Sequence, residues 1–337
     1  MKKYTIITAL ILGLFTYTTL QAQYTKLAQT GMKFLSVSTD ARTAGFSEAV
    51  TAVDLGTASA MFYNHSTMAS IKEFTSVSFG NVSWIADIKY LHGAIAFAPY
   101  EGEYGVIGVS FVSVDYGDLH ETIVANNDQG YIDVGTYSPK AYAIGIGYAK
   151  ELSTKFAVGG GIKFVKQSLG TSVIDIDQNS GNYVNDNNSL SAVAFDFGIL
   201  YRTGFKSLNF GMSVRNFSTE LKYKVETFQL PLTFRIGLSM DAMDLFNVDK
   251  NTHSLLISVD ASHPRDYNEQ IYVGAEYTFI NTFSLRAGFV SPADEHNFAA
   301  GFGIKRNIEG VNLGIDYAYQ PFGVFNSVSR ITFNFSF

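Results

Sequence analysis

Ser329-Arg330-Ile331-Thr332-Phe333-Asn334-Phe335-Ser336-Phe337 ends the chain, and its reading decides the fold. Ile331, Phe333, Phe335 and Phe337 share one face of an extended strand, and Arg330, Thr332, Asn334 and Ser336 share the other. Side chains alternate with period 2 along a strand, so this stretch presents a nearly all-aromatic face opposite a polar one. In a soluble protein those phenylalanines would need a second protein layer. The rest of the chain repeats the same alternation and offers almost no helix to provide that layer. The economical second layer is lipid.

Working back from the end, the alternation predicts strands at 74–84, 88–99, 104–118, 138–151, 155–168, 189–203, 208–221, 230–241, 253–263, 269–280, 282–291, 296–306, 311–320 and 327–337. Fourteen is an even number, as single-chain outer-membrane barrels require, and each stretch is near or above the length a tilted strand needs to cross a bilayer. The fold class that follows is all-β: a transmembrane antiparallel barrel of about 14 strands with an N-terminal plug segment. A terminal Phe on an alternating strand resembles the signal read by the barrel-assembly machinery, with Phe333, Phe335 and Phe337 as its residues.

Charge placement is a test of that register. Lys163, Asp196, Arg215, Arg235, Asp260, Glu276, Arg286, Lys305, Asp316 and Arg330 all fall on the polar face. On the lipid face an Arg or Lys costs about 2–4 kcal/mol at the membrane midplane, so these charges are expected in the lumen. The two longest connections, 119–137 and 169–188, fall at alternate ends from tight turns such as Glu101-Gly102-Glu103 and Leu152-Ser153-Thr154. That is the long-outside, short-inside asymmetry of such barrels. Tyr201, Tyr277, Phe279, Tyr319 and Phe322 stand near strand ends, where interfacial aromatic girdles are expected.

Composition agrees. The 337 residues include 28 Phe, 20 Tyr and 30 Gly but only 6 Pro, and charged residues make up 16%, below the roughly 25% of soluble domains. No cysteine is present, which excludes disulfides, thiolate metal sites and lipid-modified cysteine. A net charge of −6 is a poor match for a nucleic-acid partner. Outer-membrane lipid is the partner that the pattern itself demands.

The only continuous apolar run lies at the start. Lys2 and Lys3 precede an apolar core from Ile6 to Phe15, and Leu20-Gln21-Ala22 is a plausible cleavage site. Residues 1–22 are therefore expected to be a cleaved secretory signal peptide, with the Gram-negative cell outer membrane as destination. The core is shorter than the roughly 20 residues of a membrane-spanning helix. Residues 23–73 sustain no alternation and are rich in small residues, so they are expected to form the plug, leaving 74–337 as the barrel.

No constellation for catalysis or cofactor binding emerges. His65, His92, His120, His253, His263 and His296 are scattered, without metal-ligand spacing on one element. Gly159-Gly160-Gly161 lies inside a strand, where close packing explains it better than a phosphate loop. The lumen is the better place to look. A fourteen-stranded barrel is too wide to be filled by its own wall, and inward positions such as Ala143, Gly145, Gly147, Gly159, Gly211, Gly288 and Gly301 are small.

The N-terminal segment carries a family resemblance. Phe34-Leu35-Ser36-Val37, Asp40-Ala41-Arg42-Thr43-Ala44-Gly45, Ala49-Val50-Thr51-Ala52-Val53-Asp54 and Ala58-x-Ala60-x-Phe62-Tyr63-Asn64 resemble the opening of the PorV/PorQ family of outer-membrane proteins. That family is similar to the long-chain fatty acid transporter (FadL-like) barrels. The resemblance makes Asp40, Arg42, Gly45, Asp54, Tyr63, Asn64 and His65 the plug or hatch motif. It departs at Asn64-His65-Ser66, where the family continues with Pro-Ala, and His cannot fix φ as Pro does. Two functions are implied: a non-enzymatic component of type IX secretion or surface attachment, partnered by a translocon or secreted cargo; or passive uptake of a hydrophobic ligand. The first is the leading reading and the second the alternative. A third, an outer-membrane hydrolase, has no residues to support it.

Overall fold

A computed structural model describes residues 29–176, 182–246, 248–249, 252–293 and 296–337. The expected signal peptide lies outside them. These residues hold eighteen strands: β1 Thr75–Ser83, β2 Lys89–Phe97, β3 Val106–Asp115, β4 Leu119–Val124, β5 Tyr131–Tyr137, β6 Lys140–Ser153, β7 Phe156–Ile176, β8 Tyr183–Arg202, β9 Asn209–Phe217, β10 Leu221–Lys222, β11 Thr227–Phe228, β12 Thr233–Asp241, β13 His253–Pro264, β14 Gln270–Phe279, β15 Phe283–Ser291, β16 Phe298–Ile308, β17 Val311–Pro321 and β18 Ser327–Ser336. Fourteen form a closed antiparallel barrel; β4–β5 and β10–β11 are separate hairpins. Among the described residues no helix is long and apolar enough to cross a membrane.

Each of the fourteen expected strands is a barrel strand. The last one closes the wall against the first, with Phe79 opposite Phe333 and Val77 opposite Phe335. Thr75 and Phe337 exchange backbone hydrogen bonds at 2.9 and 3.0 Å. Phe79 stacks on both Phe333 and Phe335 on the outer face. Burial alternates as the register requires. On β8, Val193, Phe195, Phe197 and Tyr201 are exposed, while Ala192, Ala194 and Asp196 are buried.

Three local readings differ. The 119–137 stretch, expected as a connection, holds a hairpin of its own, β4–β5. The ladder between β7 and β8 runs past Ser168 and Ser189 to Ile176 and Tyr183, through two register shifts. A charge or glycine every few residues hides the alternation there, and the cross-strand hydrogen bonds persist without it. Phe322 is no girdle residue: it is buried, stacked on His296 at 4.8 Å and edge-on to Trp84. It follows the end of β17, where the chain turns over the barrel mouth, so strand parity no longer holds it outward. The 242–252 connection begins with a short 3-10 turn, Ala242–Leu245.

Residues 30–71 form no barrel strand. They pack on the inward-facing side of the wall through short turns, Lys33–Ser36, Ala41–Gly45, Ala58–Phe62 and His65–Ser70. Asp40 caps the Ala41–Gly45 turn, its Oδ1 accepting from Thr43 N and Thr43 Oγ1 at 2.8 Å each. The segment enters at the long-loop end, where Thr30 bridges Gln229 and Lys33 pairs with Asp266. It leaves at the short-turn end, where Glu73 meets Asn312. By the loop asymmetry of such barrels, the first end is the cell-surface end and the second the periplasmic one.

Candidate functional site: the lumen and its N-terminal segment

Small wall residues make the close approach possible. A Cβ at Gly159 would sit 2.5 Å from the His65 carbonyl carbon and 2.6 Å from Ser66 N. One at Gly147 would sit 2.6 Å from the His65 ring, and one at Gly198 would collide with Asn64 Oδ1. Gly211 meets the Thr51 carbonyl, and Gly274 and Gly288 meet Phe46. These glycines and the segment opposite them fit as a matched pair. Backbone running this near to a wall leaves no volume for side chains. Phe46, Val50, Val53, Met68 and Ile71 are buried in the resulting core.

The inward charges hold the same segment. Arg42 donates from Nε and Nη2 to Glu276 at 3.0 and 2.8 Å, and from Nη1 to the Leu55 carbonyl at 3.2 Å. Glu276 also pairs with Arg286, which reaches Asp316 at 2.7 Å. A Cβ at Gly45 would sit 3.2 Å from the Arg286 Cβ. Arg235 pairs with Glu48 at 2.8 Å and lies over the Tyr272 ring. Asp260 accepts from Thr51 N at 2.9 Å. Arg330 donates to the Ser38 carbonyl at 2.8 Å, and Arg215 donates to the Phe62 carbonyl at the same distance. Asp196 instead pairs with a wall neighbour, Lys163, at 2.7 Å. Of the motif residues expected from sequence, Arg42 and Gly45 meet this array, Asp40, Tyr63 and Asn64 make bonds within the segment, and His65 lies against Gly147 and Gly159. Tyr63 hydroxyl accepts from Asp40 N at 3.0 Å. Asn64 Nδ2 donates to the Thr51 carbonyl at 2.7 Å, while Oδ1 accepts from Ser66 N and Oγ at 3.1 and 2.7 Å. Asp54 accepts from Ser70 and Arg202 near the periplasmic end.

Burial sets the protonation of two of these groups. It lowers the His65 imidazole to about 4, with the nearby Lys163 and Arg215 charges adding to the effect against Asp196. It pushes the Tyr63 phenol up to about 12, aided by the Asp40 charge. Both are neutral at pH 7. Sequence reading missed Glu48, Lys33 with Asp266, Gln320 and Asn334. Glu48 meets Arg235 across 187 positions and Lys33 meets Asp266 across 233, whereas Gln320 and Asn334 meet Arg330 and Asp316 within 10 and 18; alternation assigns each a face and names no partner.

Two cavities adjoin the segment. The smaller, about 60 Å³, lies among Phe34, Leu35, Met61, His65, Lys163 and Arg215. The larger, about 540 Å³, opens toward the short-turn end between Arg42, Thr57 and the β14–β18 wall, and Lys305, Glu276 and Asp316 are among its lining residues. Its walls carry both signs of charge.

Comparison with known proteins places the architecture. The model of the PorP/SprF family, described as a type IX secretion system membrane protein, matches residues 112–336. The chain belongs to the PorP/SprF family. The matched region covers the barrel from β3 onward, and the N-terminal stretch that resembles PorV/PorQ lies before it. No curated protein matches the chain. Among solved structures, the toluene transporter TbuX of Ralstonia pickettii is similar at a TM-score of 0.55 and 14% identity, covering 86% of this chain and 96% of its own. The monoaromatic hydrocarbon channel CymD has a TM-score of 0.55 at 12% identity, covering 89% and 98%. A FadL homologue of Pseudomonas aeruginosa has a TM-score of 0.55 at 10% identity, covering 89% and 98%. Likeness at such identity speaks for a shared barrel fold. Secretion and transport are the occupations of these families, and the barrel is of the outer-membrane type.

Proposed function

We propose that this PorP/SprF-family barrel is a non-enzymatic component of type IX protein secretion and surface attachment, acting through contacts with a translocon or an exported cargo protein. In this reading, residues 23–73 are a plug, and the lumen is not the route of the cargo. The observation that carries it is the family match over two thirds of the chain, residues 112–336. The lumen supports it: five inward charges, Arg215, Arg235, Asp260, Glu276 and Arg330, bind the N-terminal segment directly. Residues 1–22 are the export signal and Phe333, Phe335 and Phe337 the assembly signal. Resemblance at residues 34–64 extends the proposal to a PorV/PorQ-like role in receiving cargo.

The alternative is passive uptake of a hydrophobic molecule, and the observation in its favour is the hydrocarbon-channel architecture. It predicts an apolar pocket between the N-terminal segment and the wall. The pocket found there, at about 60 Å³, is smaller than the roughly 150 Å³ that holds a benzene, and the larger cavity has Arg42, Glu276, Arg286, Lys305 and Asp316 in a mixed lining. A chromosomal deletion separates the two. The secretion reading expects exported proteins to be lost from the cell surface and retained in the periplasm, with growth on hydrocarbons unchanged. An intact surface proteome would overturn it.

A further inference from the structure

Among the described residues, the upper part of β8 has a long edge without a strand partner. β8 pairs with β9 only from Arg202 up to Phe195, through a register shift between Phe195 and Phe197. There β9 leaves: Asn216 takes a left-handed φ of 63°, its N donates to Asp196 at 2.7 Å, and its side chain donates to the Pro231 carbonyl at 3.0 Å. β8 continues upward as residues 183–194, paired on one side with β7. On the other side no described strand pairs with it. That leaves about 40 Å of open edge, at about 3.3 Å per residue.

Natural edges of this length are blunted by proline, lysine, bulges or a covering loop, because they template strand addition. Residues 183–194 read Tyr-Val-Asn-Asp-Asn-Asn-Ser-Leu-Ser-Ala-Val-Ala, with no proline and no lysine. The single charge, Asp186, is engaged by Lys224. That contact, with Leu221 beside Ala192 and Ala194 in the inner cluster, brings the 218–232 connection along the inner face of β8; it reaches the edge only at the foot, where Thr219 and Leu221 stand, and among the described residues it forms no strand pair with the edge above. The β7 side differs: β4 leans on it, with Glu121 accepting from Val173 N at 3.1 Å. At the foot of the bare edge is a cavity of about 380 Å³ between Phe164, Val193, Phe195, Thr219 and Leu221. Outward residues above it, Ser191, Ser189, Asn187 and Asn185, are polar, so the edge begins where the lipid-facing band ends.

We propose that residues 183–194 of β8 are a strand-addition site for an extended segment of an exported protein. The segment pairs main chain to main chain beside β8 and places one apolar side chain in the Phe164–Val193–Leu221 cavity. Main-chain pairing supplies the affinity in such complexes and the side-chain pocket the register. A second copy of this barrel is a poor occupant. Two barrels upright in one membrane present β8 strands that run the same way and, at tilts of roughly 35–45°, cross steeply instead of laddering. The inference rests on the secretion reading above and says where that partner binds.

The test is hydrogen exchange on the full-length protein, isolated in mild detergent from native membrane with what it carries, against the same protein refolded alone. Strand addition expects a protein to co-purify and amides within 183–194 to exchange at least tenfold more slowly in the native preparation, with β12 and β13 unchanged. S189R and S191R should abolish both effects and S189T should not, with heat-modifiable migration confirming that each variant folds. A co-purified protein with unchanged exchange at 183–194 overturns strand addition and leaves the secretion reading standing. Protection with only lipid bound also overturns it. No co-purified protein removes the secretion reading and this inference together.

Discussion

Replacing Arg42 with alanine should loosen the N-terminal segment while leaving the wall intact. Arg42 makes two charge-assisted hydrogen bonds to Glu276 and one to the Leu55 carbonyl. Removing one partner of a buried pair costs about 3–5 kcal/mol because the other charge is stranded. Here Glu276 keeps Arg286, and the Arg42 side chain is 23% exposed, so the lower end applies, about 3 kcal/mol. At about 1.4 kcal/mol per factor of ten, the open state of residues 38–57 rises on the order of a hundredfold. Native-state hydrogen exchange reads this directly, since local opening sets the exchange rate of amides such as Ala44 and Thr51, which bond to the Asp40 carbonyl and the Asp260 carboxylate. Exchange at β6–β8 amides should stay within twofold. A change below about threefold at 38–57 would refute the view that the lumen ion pairs hold this segment. A uniform change across the barrel would refute the view that it opens on its own.

Three further outcomes are expected. Gly159→Val drives a side chain into the His65 backbone, which cannot yield, so residues 64–70 should lose exchange protection while Gly93→Ala, with nothing nearer than 3.7 Å, behaves as wild type. His65 stays neutral when buried, at about 4 against an ordinary 6.5; the opened state takes up a proton that the closed state refuses, so stability falls as pH drops from about 6.5 and levels below about 4, by up to about two orders of magnitude in the opening equilibrium, and His65→Gln should flatten that dependence. Removing Phe337 deletes the backbone pair with Thr75 and the chain-terminal aromatic, so insertion into the outer membrane should drop several-fold in a heat-modifiability assay, whereas Phe325→Ala in the last surface turn should not affect it.

The barrel was legible because lipid imposes a strict rule: every strand must alternate, and every charge must face inward. Arg235, Glu276 and Arg330 could be assigned to the lumen from parity alone. What parity leaves open is the partner of each charge. Arg235 meets Glu48, 187 positions away, and Arg330 meets Ser38, 292 positions away; neither pairing leaves a local trace. Gly159 and Gly198 were legible as inward and small, but not as the surface against which His65 and Asn64 lie. The bare edge of β8 escaped for a related reason. Alternation shows that a strand exists, and only the register shows that its neighbour stops at Phe217.

The most direct measurement is quantitative mass spectrometry of proteins and lipids on the tagged barrel purified from native outer membrane. The account predicts a secretion-system component or exported cargo at near-stoichiometric amount and an empty small cavity. A barrel that purifies alone, carrying a bound hydrocarbon or acyl chain, would contradict it and make residues 31–70 a ligand site.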